Sequence, residues 1–200
     1  MRNFSVPLFL IFVVRASAEE AAPPTDDFFP LIAGATWTYR VSGQEDRFIV
    51  RAVRQEMVGT QTCMLLEATL KDKVVATEHL AFTKNGLFRF RADKEDIEPP
   101  VCVLKLPSTR GQRWLAEYKL GSRSAKSSFS ITTSEIQVLA GKFKVTTVLA
   151  DVSEGAGPGR GSRTTIAYAE GVGMVKQTIE EGKRPPLVLE LEKFEIVPKK

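Results

Sequence analysis

Apolar and polar side chains alternate with a period of two along most of the chain, and no long window carries a helical period. Trp37, Tyr39 and Val41 share one face of a run whose other face holds Thr36, Thr38 and Arg40. Met64, Leu66, Ala68 and Leu70 form a second apolar face, Leu80 and Phe82 a third, Phe88 and Phe90 a fourth, and Cys102, Leu104 and Leu106 a fifth. Further along, Phe143, Val145, Thr147 and Leu149 alternate with Lys142, Lys144 and Thr146, Ile166 is in phase with Tyr168, and Leu187 with Leu189 and Leu191. A period of two places one face against a core and the other toward water, which suits antiparallel sheet. Residues 113–120 could form a helical turn or two, but their match to residues 36–41 favours strand.

The runs also repeat in order. The frame Pro30, Gly34, Trp37, Tyr39 returns as Pro107, Gly111, Trp114, Tyr118, with Pro-to-Gly and Gly-to-Trp spacings kept. Val58-Gly59 is echoed by Ala140-Gly141, Ala81-Phe82 by Ala167-Tyr168, Gly86-Leu87-Phe88 by Gly173-Met174-Val175, and residues 99–106 by residues 185–191. Such self-similarity is the signature of a repeated unit. The expected fold is all-β: an antiparallel meander of about twelve strands from two six-stranded repeats, about 29–106 and 106–197, forming a curved sheet, clam or barrel. Lys84-Asn85-Gly86 predicts a type I′ hairpin turn, and Lys183-Arg184-Pro185-Pro186 predicts a strand boundary, because proline cannot donate within a ladder.

Residues 1–18 read as a secretory signal peptide: Arg2, an apolar core from Phe4 to Val14, and Ala16-Ser17-Ala18 before Glu19. The core is too short to span a bilayer as a helix, so the mature chain is expected to carry no transmembrane segment. Residues 19–27, of Glu, Ala, Pro, Thr and Asp, read as a disordered leader, and residues 28–200 as a single β domain. The whole chain has 28 Lys and Arg against 24 Asp and Glu. Loss of Arg2 and Arg15 with the signal leaves a net charge near +2, scattered over polar faces, which points away from nucleic acid.

Candidate chemistry is sparse. His79 is the only histidine; it is in phase with Thr77 and Thr83 and reads as a surface residue, since one histidine builds neither a His-rich metal site nor, without a nearby nucleophile, a triad. Cys63 and Cys102 would be oxidised in an exporting compartment if they meet, and they form the candidate disulfide, although alternation places them on opposite phases. Glu67, Glu78, Glu190 and Glu192 lie within strands with nothing to pair two of them for acid/base work. The acidic stretch Asp93–Pro100 reads as a solvated turn, and the Gly-rich stretch Ser153–Arg163 as a hairpin loop without the Gly-Lys-Ser/Thr ending of a phosphate cradle. No cofactor and no metal site are expected. What remains is aromatic: Trp37, Tyr39, Phe82, Phe88, Phe90, Trp114, Tyr118 and Tyr168 either fill a core or line a cavity for an apolar ligand.

Tyr168-Ala169-Glu170-Gly171-Val172-Gly173-Met174-Val175-Lys176 resembles a Y-A-x-G-V-G-x-V-K segment of uncharacterised bacterial exported proteins and lipoproteins, as do the Gly34-x-x-Trp37-x-Tyr39 opening and Ala140-Gly141-Lys142-Phe143. Those proteins resemble the curved-sheet clam of the lipoprotein carriers LolA and LolB and of RseB. The resemblance implies a curved antiparallel sheet with an apolar concave side, in a bacterial envelope, and carries over no functional residue. The chain shows no helices to plug a clam. Three readings follow: a non-enzymatic envelope protein binding a lipid or other apolar or amphipathic ligand, a structural or protein-interaction module with another envelope protein as partner, and, least supported, a hydrolase.

Overall fold

The computed structural model describes residues 28–154 and 161–196. The signal peptide, the leader and most of the Gly-rich stretch lie outside these residues. Twelve strands follow one another: β1 (Thr36–Val41), β2 (Arg47–Val58), β3 (Gln61–Leu70), β4 (Lys73–Thr83), β5 (Gly86–Ala92), β6 (Glu95–Lys105), β7 (Arg113–Leu120), β8 (Arg123–Val138), β9 (Gly141–Glu154), β10 (Gly161–Ala169), β11 (Gly173–Glu181) and β12 (Leu187–Glu195). Each pairs antiparallel with its neighbours in sequence, and β12 returns to β1 to close a barrel. The all-β meander expected from alternation is the observed fold, in its closed form, and residues 113–120 are strand.

The core is the barrel interior. Trp37, Tyr39 and Val41 of β1, Met64 and Leu66 of β3, Leu87 of β5 and Leu189 and Leu191 of β12 all point into it. Closing the sheet curves its apolar face in on itself, so that face needs no second layer.

Turn chemistry differs from expectation at the Asn-Gly site. The turn residues there are Lys84 and Asn85, with Thr83 paired to Gly86. Both central residues take positive φ instead at Lys71 and Asp72, between β3 and β4 (51° and 59°), the geometry of a type I′ turn. Gly86, with φ 134°, is needed for another reason: a Cβ there would lie 2.1 Å from the Leu104 carbonyl oxygen of β6. The acidic stretch is a turn only at Asp93-Lys94; from Glu95 it is strand.

The wall is uneven in two places. β1 and β12 are joined by six residue pairs, whereas β6 and β7 share only Ile97↔Leu120 and Glu98↔Lys119. The ladder stops where Pro99 and Pro100 follow, because neither has an N–H to donate. Beyond them, the Trp114 indole Nε1 donates to the Cys102 carbonyl at 3.0 Å, so a side chain bridges the seam in place of a strand amide. The second irregularity is the β8–β9 hairpin. Its flanking ladders end at Ser130 and at Thr146. Past these points the buried positions switch phase, from Phe129 and Ile131 to Val138 on β8, and from Val148 to Val145 on β9. A two-stranded ribbon without neighbours twists more strongly than a wide sheet, and the tip turns so that the Ala140 N–H reaches the Leu191 carbonyl at 2.8 Å.

Three sequence expectations are corrected on the outer face. Cys63 and Cys102 are free thiols. Cys63 lies opposite Glu56 and Cys102 opposite Phe88, so both belong to the outward phase, with β4 and β5 between them. Three strand spacings are roughly 14 Å, well beyond the ~7 Å limit for bridging Cα atoms. Phe88 and Phe90 also face outward, because Leu87 and Arg89 take the inward positions. His79 is outward but only 4% exposed. Its Nε2 lies 2.8 Å from Glu56 Oε2, and its Nδ1 has no partner among the described residues. Val58, Cys63, Ala81 and Phe90 form a small second apolar cluster on this outer side.

The His79 hydrogen bond, then that from Arg54, holds the Glu56 carboxyl below the usual carboxylate range. A group with a depressed folded pKa stabilises the protein above its unfolded pKa, ~4.3 for Glu, and that contribution is lost as pH falls through the folded value. Glu56→Gln should therefore lower the urea midpoint at pH 7, and the gap from the parent should close below about pH 4. Urea titrations at both pH values check this; a gap that stays constant would exclude the Glu56 charge as its source.

Candidate functional site

The barrel interior is not filled on the side formed by β1–β6, β10 and β11. A cavity of about 120 Å³ remains there. Its walls are apolar: Phe29 and Tyr39 at the inner end, Leu66, Ala68 and Leu80 along one side, Ile166 and Met174 along the other. Phe29 comes from the segment before β1 and packs edge-on against Trp37, ring centroids 4.9 Å apart. Gly173 makes this packing possible, since a Cβ there would lie 2.3 Å from Phe29 Cδ2. Trp37 is fully buried, and its Nε1 donates to the Val172 carbonyl at 2.6 Å.

Five side chains with polar groups break the apolar lining: Tyr39, Glu78, Arg89, Tyr168 and Gln177. Glu78 faces Leu66 of β3 and Ala92 of β5 across its strand, and Arg89 faces Leu80 and Val101, so both project inward. Arg89 Nη2 lies 2.8 Å from Glu78 Oε1. About a third of each side chain is open (32% and 36%), and the space both face is the cavity. The Glu78 charge, working against burial, raises the Arg89 pKa further and keeps the guanidinium charged. Burial pushes the Tyr168 phenol well above its ordinary range and the Tyr39 phenol likewise, so both are neutral. Tyr39 Oη donates to the Met174 carbonyl at 2.9 Å. The Tyr168 hydroxyl and the Gln177 amide make no side-chain hydrogen bond among the described residues, and Arg89 Nε is buried without a partner.

Of the aromatic residues expected to line a cavity, Tyr39 and Tyr168 do. Trp37 lies beneath it through Phe29, and Phe82 packs half-buried on the core. Trp114 stacks on Phe129 at 4.9 Å and 5° at the β6–β7 seam. Tyr118, whose hydroxyl is 3.2 Å from Ser127 Oγ, lines a separate groove of about 580 Å³ with Glu98 and Pro99. Phe88 and Phe90 are outside. Sequence reasoning missed Arg89 and the inward role of Glu78. A signal existed: Glu78 is in phase with Leu80 and Phe82, and a two-residue turn carries that phase to Leu87 and Arg89. The other strand carboxylates are dispersed, Glu190 against Lys176 and Glu192 against Arg47.

No protein-family model matches the sequence, and neither does any curated protein. Two solved structures share the fold. One is a candidate exported protein with a YmcC-like fold from Bacteroides fragilis, at TM-score 0.54 and 13% identity, covering 85% of this chain and 99% of that one. The other is a candidate lipoprotein from Parabacteroides distasonis, at TM-score 0.52 and 11% identity, covering 84% and 98%. At these identities the likeness concerns the fold alone.

Proposed function

We propose that the chain is an exported, non-enzymatic envelope protein whose barrel interior takes one small apolar or amphipathic ligand. The observation that carries this reading is the cavity: a concave, mostly apolar space with a few convergent polar groups is the usual form of a small-molecule site. Export is supported by the signal-like residues 1–18 and agrees with the descriptions of the two structural neighbours. The non-enzymatic reading rests on the lining. Among the described residues Glu78 is its only carboxylate, it is engaged by Arg89, and no histidine, cysteine or second carboxylate joins it. Acid/base or nucleophilic hydrolysis needs such a second group.

The volume also narrows the carrier analogy. A cavity of about 150 Å³ holds benzene, so 120 Å³ that is open on one side takes one ring with a short substituent reaching toward the opening, or the end of a chain, not a whole lipid. Ala68 lines this space without filling it. Toluene should raise the melting temperature of the parent protein and leave that of Ala68→Leu unchanged, with both giving the same far-UV circular dichroism. Equal shifts in the two proteins, or no shift in the parent, would count against an interior site.

A second reading, a protein-interaction module, is favoured by one observation. Opposite Pro99-Pro100 the β7 edge lacks a strand partner over Trp114–Tyr118, and such an edge can accept an added strand.

A further inference from the structure

We infer that Glu78 sets the specificity of the cavity: by neutralising Arg89 it selects an uncharged ligand bearing a hydrogen-bond acceptor and rejects a carboxylate. This rests on the interior-site reading above and names its ligand class. The argument begins with charge. Among the described residues Glu78 and Arg89 are the charged side chains lining the cavity, and they are in contact at 2.8 Å. The site as a whole is therefore neutral, although it contains a guanidinium.

Donors are in excess. A guanidinium has five N–H groups and no acceptor. Among the described residues the contact with Glu78 is the one ion pair of Arg89, and Nε is left without a partner. From the opposite wall Tyr168 brings a hydroxyl with no side-chain partner among the described residues, and Gln177 an amide in the same condition. The remaining polar side chain of the wall among the described residues, Tyr39, already spends its hydroxyl proton on the Met174 carbonyl. A ligand that supplies a carbonyl oxygen meets this excess without adding charge.

A carboxylate meets it too, but brings a second anion into a space where one cation is already matched. Two like charges sharing one partner in a poorly solvated interior are disfavoured strongly enough to discriminate between ligands. Replacing Glu78 by glutamine reverses the balance. The shape is kept, Arg89 loses its counter-ion, and an incoming carboxylate then supplies it. Specificity built on a repulsive element should switch when that element is removed.

Three probes of matched size separate the contributions: acetophenone, benzoate and cumene, titrated calorimetrically at pH 7. The parent protein should bind acetophenone roughly 3- to 10-fold more tightly than cumene, the worth of one neutral hydrogen bond. It should bind acetophenone at least ~10-fold more tightly than benzoate. Glu78→Gln should invert the second preference, with benzoate ahead of acetophenone by about 10-fold. Should Glu78→Gln fail to fold alone, thermal unfolding with each probe replaces the titration. Benzoate should then restore a cooperative transition and acetophenone should not, because a ligand stabilises only the state that binds it. Benzoate equal to acetophenone in the parent, an unchanged order in Glu78→Gln, or equal rescue by both would overturn the assignment of Glu78 while leaving the interior site standing. Binding of none of the three probes to natively folded parent protein would remove the site itself and this inference with it.

Discussion

Trp37→Ala should destabilise the barrel by about 3–5 kcal/mol, the range for truncating a fully packed aromatic, and Trp114→Ala by about half as much. The two indoles hold corresponding places, each three residues after a turn glycine and at the start of its strand. Their surroundings decide the difference. Trp37 is 0% exposed, donates to Val172 and supports Phe29 under the cavity. Its loss opens a void in the core and removes the acceptor's partner together. Trp114 is half-buried at the seam, where it loses one stacked ring contact and one hydrogen bond, terms worth about 1 kcal/mol each. Urea unfolding of both variants gives the comparison. Equal losses would mean that the β6–β7 seam is as tightly packed as the β1–β12 seam, against the two residue pairs observed there. Because the seams differ, unequal losses would speak to closure of the barrel and not to whether its halves share an origin.

Gly86→Ala should be of similar size, about 3 kcal/mol or more. The residue has φ 134°, a region costly for an L side chain at ~1–3 kcal/mol. The new Cβ would also lie 2.1 Å from the Leu104 oxygen, and backbone cannot swing aside as a flexible side chain does. β5 and β6 must part where Leu87 and Leu104, both 0% exposed, meet across the strands, a displacement costing a further ~1–3 kcal/mol. Gly43→Ala is the control: its φ is 71° but nothing lies within 4 Å of its Cβ, so it should show the conformational cost alone. A Gly86→Ala loss no larger than that of Gly43→Ala would show that the close approach to β6 relaxes without effect. The same titrations report on the cavity wall, because Arg89 and Val103 belong to these two strands.

The number and order of the strands could be read from residues alone. Alternation in Trp37-x-Tyr39-x-Val41 or Leu187-x-Leu189-x-Leu191 is set by neighbours two apart on one pleat, and turn residues punctuate the runs. Such local information survives whatever the rest of the chain does. Which face turns inward is a different matter. The rings of Phe88 and Phe90 suggest one face of β5, yet the two-residue turn after Thr83 hands the inward phase of Leu80 and Phe82 to Leu87 and Arg89. A one-residue change of register moves every side chain to the opposite face. Bulges at Val75 between β3 and β4, and at Val103 between β5 and β6, make such changes here.

Closure was also beyond local reach. It is decided by β12 meeting β1, residues more than a hundred positions apart, while the weakness of the other seam was written in Pro99-Pro100. The cavity and its ion pair follow from closure. Glu78 looked like one strand carboxylate among several, and Arg89 like a solvated base. Only when the wall curves round to bring Tyr168 and Gln177 opposite them does the lumen become a place where those two charges face each other across neighbouring strands, each about two-thirds withdrawn from water and so favoured as a pair.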